Sequence, residues 1–211
     1  AVPVSLAHGL IAAEMAMNLQ MALGERRFLL LHASSVERDG RVLIMTGESG
    51  SGKSTLSALL ASRGWRFLGD EFALIDPVTG LVHPFPRPIS LKNGAIAEMQ
   101  RLCPKAQFGP PIAGTPKGDL RHMVPDAAAI AGMHEPAAPA LILFPRFGFA
   151  AETRDVGPSE VFVRLTQAST NYVALGEAGF GALTRLVCGV PARAIDYPDT
   201  DTALKLVEAL W

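Results

Sequence analysis

An α/β fold with a mixed sheet is the expectation for this 211-residue chain, on three grounds. The apolar run Arg41 to Thr46 leads straight into a glycine-rich loop and then into a segment of helical period. Further strand-length apolar runs alternate with helical segments to the C-terminus. Apolar residues make up 49% of the chain against 18% charged, enough to bury a core and to exclude disorder over most of the length.

A net charge of −1 gives no bulk electrostatic reason to bind nucleic acid or an anionic membrane, so phosphate recognition has to be local. Cys103 and Cys188 are far apart and lack metal-ligand spacing. That excludes a disulfide framework and a zinc site, leaves two buried thiols as the expectation, and favours a cytoplasmic location.

Ala1 to Gly24 is apolar, but it has no basic start and is interrupted by Glu14, Asn18 and Gln20, so neither a signal peptide nor a membrane span is expected. Leu6, Leu10, Ile11, Met15, Leu19 and Leu23 recur mostly at three or four, which predicts an amphipathic helix over residues 1–26 packing on the core. The chain begins with Ala rather than Met, and we expect this helix to be the remnant of a longer N-terminal region. Arg27 to Val36 and Arg41 to Thr46 flank Asp39-Gly40, a hairpin signature that places His32 near the middle of the first strand.

A helix is expected from the end of the glycine loop to Ser62, stopped by Gly64. Strands follow at Trp65 to Leu68 and Phe72 to Ile75. Between Val82 and Pro125 eight prolines predict long loops around short elements. A short helix is expected within 125–139, a buried strand at Ala140 to Phe144, helices from Ser159 to Gln167 and Phe180 to Cys188, a strand at Ala192 to Tyr197, and a closing helix from Thr202.

Gly47 to Ser54 satisfies G-x-x-x-x-G-K-S between a strand and a helix. In that context the glycines let backbone N–H groups converge on an anion, and the helix N-terminus adds its positive end. Gly47, Glu48, Ser49, Gly50, Ser51, Gly52, Lys53, Ser54 and Thr55 are the predicted nucleotide-binding residues, with Lys53 on the β- and γ-phosphates and the Ser54 hydroxyl on Mg²⁺.

Asp70 and Glu71 follow one helix later. Adjacent strand residues face opposite ways, so both serve one site only if the strand bends, and Gly69 permits a bend. One carboxylate could then hold metal while the other takes the proton of an attacking hydroxyl. His32 is positioned to hydrogen-bond the catalytic carboxylate or a phosphate oxygen. Arg87, Lys92, Lys117, Arg121 and Arg146 are candidate clamps on the transferring phosphoryl group or the acceptor.

The stretch from His32 to Ile75 resembles the catalytic core of the bacterial HPr kinase/phosphorylase family, in its HPr-kinase-related branch. The residues that carry the resemblance are His32-Ala33, the hairpin around Gly40, Gly47 to Ser54, Arg63-Gly64 and Asp70-Glu71. Phe85 to Lys92, Gly114 to Gly118 and Phe144-Pro145-Arg146 resemble the branch more loosely.

The resemblance implies a P-loop core of HPr-kinase/PEP-carboxykinase-like type, with a mixed β-sheet flanked by helices, over a kinase domain of residues 27–211. It also implies ATP- and Mg²⁺-dependent phosphorylation of a Ser or Thr hydroxyl, with Asp70 as base and Glu71 joining Ser54 at the metal. Glu71 stands where the founding family has Asp, and Pro88 to Gly94 replaces its Glu-x-Arg-Gly stretch, so only the kinase direction is carried over. The implied acceptor is an HPr-like protein or a ribosomal peptide such as a lasso-peptide precursor, with homo-oligomerisation as in the founding family. A small-molecule hydroxyl kinase and a non-catalytic nucleotide-binding regulator remain alternatives.

Overall fold

The central strands are buried on both faces, and their alternating side chains enter two separate core layers. The computed structural model describes residues 5–115 and 118–211. Helix α1 (Leu6–Gly24) precedes β1 (Leu29–Leu31), β2 (Ala33–Arg38), β3 (Arg41–Thr46), α2 (Lys53–Ala61), β4 (Arg66–Gly69), β5 (Ala73–Ile75) and β6 (Val82–His83). Then come β7 (Ile89–Lys92), α3 (Gly94–Leu102), β8 (Ile112–Thr115), β9 (Gly118–Met123), α4 (Ala127–Ala131) and β10 (Ala138–Phe147). The chain closes with β11 (Glu152–Asp155), α5 (Pro158–Ala168), α6 (Tyr172–Gly189), β12 (Ala192–Tyr197) and α7 (Thr200–Leu210).

The central sheet has six strands in the order β11-β12-β10-β3-β2-β4. It is mixed: β10 runs parallel to β3 and β12, whereas β2 is antiparallel to both β3 and β4. Val42, Ile44, Ile142 and Phe144 point to one face, against α5 and α6 through Val161, Leu165, Leu183 and Leu186. Leu43, Met45, Leu141 and Leu143 point to the other, against Leu56, Leu59 and Leu60 of α2 and Val207 of α7. This is the predicted α/β class, with a mixed sheet flanked by helices. Two three-stranded sheets, β1-β5-β6 and β7-β9-β8, flank the central one.

The predicted hairpin forms as β2 and β3, closed by Asp39 and Gly40 with φ of 56° and 75°, the two-positive turn that suits strand twist. The first strand does not run through, however. It breaks at His32, because β1 pairs with β5 in a different sheet while β2 joins the central one. His32 therefore sits at the break, its backbone N–H donating to Ala168 O at 2.7 Å.

Three other expectations change. Cys188 is exposed, on the outer side of α6; Cys103 is buried. The loop-rich stretch contains a full helix, α3, which packs Met99 into the core. Helix α1 forms, but most of its larger apolar residues do not dock: Leu6, Leu10, Met15, Leu19 and Leu23 are exposed, while Ile11 is half-buried and Met21 packs on Leu30, Phe72 and Leu74. No helix among the described residues is long and apolar enough to cross a membrane.

Asn171 is a buried polar hub. Its Oδ1 accepts from Leu30 N at 2.9 Å, and its Nδ2 donates to Glu25 O and Phe28 O at 3.0 and 2.8 Å. Asn171→Ala orphans backbone groups worth about 1–3 kcal/mol each. The expected thermal midpoint falls by roughly 4–8 °C, for a loss of about 2 kcal/mol at this chain length. On the surface, Glu160 takes Arg154 and Arg164, and these hydrogen bonds and charges lower its pKa to about 2. A depressed carboxylate stabilises above its unfolded pKa and loses that contribution as pH falls through the folded value. An NMR titration of the Glu160 carboxyl should therefore show a midpoint near 2.

Candidate functional site

Strand directions bring the chemistry-bearing residues to one edge of the central sheet. β3 and β4 are each antiparallel to β2, so both end where β2 begins. Ala33 pairs with Thr46 and Ser35 with Gly69, which sets His32 and Ser34 between the glycine loop and the acidic pair. β10 and β12 end at the same edge, delivering Arg146, Asp196 and Tyr197.

The loop from Gly47 to Gly52 turns on positive φ at Gly47, Gly50 and Gly52. Gly52 is also the N-cap of α2 and offers no side-chain cap, so the first-turn N–H groups of the helix are left for a ligand. A Cβ on Gly52 would run into the Tyr197 hydroxyl. That hydroxyl donates to Ser51 O at 3.3 Å, and Phe147 N donates to the same carbonyl at 3.3 Å. Burial pushes the Tyr197 phenol's pKa up, so it stays a donor and supports the loop from below.

Lys53 folds back over its own loop, donating from Nζ to Gly47 O at 2.7 Å and Glu48 O at 2.9 Å. It is 8% exposed. Desolvation pulls its pKa down; the charges of Asp70 and Glu71 oppose that, and Lys92 adds to it. An ammonium held by two neutral carbonyls is primed to exchange them for phosphate oxygens, since hydrogen bonds between charged partners are the stronger kind.

The bend expected at Gly69 is present. A Cβ there would lie 2.9 Å from Phe72 O and 3.3 Å from Phe85 O, so only glycine fits, and Glu71 has φ of +75°. The bend separates the acids by partner. Asp70, 4% exposed, accepts at Oδ1 from the Ser34 hydroxyl and, at 3.1 Å, from the Ser54 hydroxyl. Its Oδ2 is buried without a hydrogen-bond partner among the described residues. Glu71 instead faces His32, whose Nδ1 lies 3.5 Å from Glu71 Oε2 and 3.2 Å from Glu71 O. The Ser54 hydroxyl is hydrogen-bonded to Asp70, the acid that points inward from the strand end, while Glu71, expected to join Ser54 at a metal, lies beside His32.

A buried acceptor with no partner is rare in folded proteins and is a reason to look for a missing cation or proton donor. Asp70, with Oδ1 accepting from the Ser54 hydroxyl and Oδ2 left over, suits either. Among the described residues there is no cluster of three or more His, Cys, Asp or Glu side chains able to hold a metal alone. A cation here would need phosphate oxygens and water to complete its shell, as hard cations at nucleotide sites do.

Of the five basic candidates, Lys92 lies near enough to Lys53 for its charge to help lower the Lys53 pKa. Arg146 is at the opposite side of the loop, paired with both carboxylate oxygens of Asp196 and stacked 4.0 Å over the Phe149 ring. It lines a cleft of about 980 Å³ that runs from Gly47 and Ser51 to Arg154 and Arg164. Arg121 does not reach the site: its Nε donates to Gly109 O at 2.7 Å and its guanidinium covers Phe108. Arg87 is held by Asn18 and Glu14 of α1. Lys117 lies outside the described residues.

Sequence reasoning did not assign Ser34 and Tyr197. Ser34 was visible only as a same-face neighbour of His32, and Tyr197 carried no motif, because its role depends on β12 ending beneath a loop nearly 150 residues earlier.

No protein-family model matches the chain, and no curated protein matches it. Among solved structures, the chain is similar to the HPr(Ser) kinase/phosphatase from Coxiella burnetii, at 16% identity and a TM-score of 0.38, over 86% of this chain and 92% of that one. A likeness of this degree leaves function to be argued from the residues themselves.

Proposed function

We propose that this chain transfers the terminal phosphoryl group of ATP to a serine or threonine hydroxyl of a protein or peptide. The observation that carries the reading is the buried, unpartnered Oδ2 of Asp70, held by Ser34 and Ser54 at the same sheet edge as the glycine loop and Lys53. The loop N–H groups and the start of α2 bind the phosphate chain, and Lys53 leaves Gly47 and Glu48 to neutralise its terminal oxygens.

The acceptor hydroxyl approaches Asp70, and its oxygen bonds to the γ-phosphorus as the bond to the β–γ bridging oxygen breaks. ADP departs and Asp70 Oδ2 takes the hydroxyl proton. Mg²⁺, when bound, would neutralise charge on the phosphates, and the Ser54 hydroxyl, with Glu71 at the rim, would hold it, leaving Asp70 as the base. His32 orients Glu71 at the rim, and Lys92 adds positive charge on the side of Lys53.

The test is incubation with γ-labelled ATP, Mg²⁺ and a cell extract fractionated by size. Label on protein or peptide, absent with Asp70→Asn, is the expected result. Label confined to small molecules favours a metabolite kinase instead. Nucleotide binding with no labelled acceptor in any fraction overturns the kinase reading in favour of a regulator.

A further inference from the structure

Helix α1, predicted to be amphipathic, is apolar around most of its circumference, so its sequence pattern does not dictate which face meets the body of the protein. Its half-buried positions include Ala7, Ile11, Glu14, Asn18 and Met21, a stripe at intervals of three and four. Leu6, Leu10, Met15, Leu19 and Leu23 are each more than half exposed, and no residue of the helix is fully buried. This orientation leaves most of the larger apolar side chains in water, and apolar packing therefore does not explain it.

What this orientation gains is a seat for Glu14. Its Oε2 lies 2.9 Å from His122 Nε2, and its Oε1 accepts from Ser90 Oγ at 3.3 Å and faces Arg87 Nη2 at 3.4 Å. One turn on, the Asn18 amide oxygen accepts from Arg87. The side chains of Glu14, Arg87 and His122 are each less than a fifth exposed, so this is a built carboxylate pocket and not a solvated ion pair.

The pocket stands on a track toward the phosphate site. Ile89 and Leu91 of β7 enter the core with α2, so Ser90 and Lys92 share the other face of the strand. His122 is the cross-strand partner of Ser90. Two strand residues, about 7 Å, separate the Glu14 seat from Lys92, the basic residue whose charge reaches Lys53. Arg87, Ser90 with His122, and Lys92 therefore form a polar strip that ends beside the glycine loop, and α1 covers its far end.

We propose that the pocket of Arg87, Ser90 and His122 is a binding site for an acidic side chain of the acceptor polypeptide, and that Glu14 of α1 is its resident occupant, to be displaced when an acidic acceptor segment docks. The identity of the occupant as an acceptor rests on the kinase reading; the carboxylate site and its occupation by α1 do not. A helix held by one carboxylate, one amide and the half-buried Met21 against Leu30, Phe72 and Leu74, with none of its residues fully buried, is suited to such exchange.

The test measures binding of fluorescein-labelled hexaglutamate and hexaglutamine to the full chain by anisotropy, without nucleotide. Glu14→Gln with Asn18→Ala, and separately Glu14→Lys, should tighten hexaglutamate binding about tenfold, the gain expected if the pocket is free roughly a tenth of the time in the parent chain. Amide exchange across α1 should accelerate in both, hexaglutamine should not gain, and adding Arg87→Ala should remove the gain. Unchanged hexaglutamate affinity in both Glu14 variants, an equal gain for hexaglutamine, or a gain that survives Arg87→Ala overturns the proposal. Because no readout needs ATP, a chain that passes this test yet labels no acceptor contradicts the kinase reading alone.

Discussion

Asp70→Asn is expected to lower the rate of phosphotransfer by about 10²–10⁴-fold, the usual contribution of a general base, while nucleotide affinity stays within a few-fold of the parent. The substitution keeps the shape of the side chain. An amide oxygen can still accept from the Ser34 and Ser54 hydroxyls, so the local fold persists. What is lost is the basic Oδ2, the one buried carboxylate oxygen without a partner among the described residues. Isothermal titration with ATP and Mg²⁺, run beside a transfer assay, separates the two quantities. If affinity falls in step with transfer, Asp70 is a nucleotide or metal holder and not the base.

Gly52→Ala is expected to weaken nucleotide binding by more than about tenfold, since at least 1–2 kcal/mol of left-handed backbone strain falls on the loop itself. Gly52 has φ of +99°, and the added Cβ would meet the Tyr197 hydroxyl, so loop and tyrosine have to separate. The same strain lowers the thermal midpoint by roughly 2–8 °C. Tyr197→Phe removes the clashing oxygen but leaves the backbone strain, so in the double variant stability recovers in part and nucleotide binding does not recover fully. A Gly52→Ala chain that binds nucleotide normally would show that the loop is not the phosphate cradle.

The parts of this site that local sequence dictates were legible in advance. Gly47 to Ser54 between an apolar strand and a helical segment fixes a strand-loop-helix, and Asp39-Gly40 fixes the hairpin beside it. Gly69 announced the bend that lets the acids leave the strand, although which acid faces Ser54 depends on the side from which β4 ends and could not be read from the dipeptide. Elements whose position comes from distant partners were not legible. His32 reads as mid-strand until β1 is seen to pair with β5, and the apolar spacing in α1 gives no hint that Glu14 decides how the helix sits. Arg87 and Arg121 illustrate the same limit: both are basic residues near loops, but one is taken by α1 and the other by Gly109 O.

The central claim is that the glycine loop, Lys53 and Asp70 form one phosphoryl-transfer site. A crystal structure of the chain with Mg²⁺ and a non-hydrolysable ATP analogue tests it most directly. The account predicts that Lys53 Nζ will have moved from Gly47 O and Glu48 O to the phosphate oxygens, with Asp70 Oδ2 opening toward the terminal phosphate. A nucleotide seated elsewhere, or one on the loop with Asp70 walled off from its terminal phosphate, would contradict it.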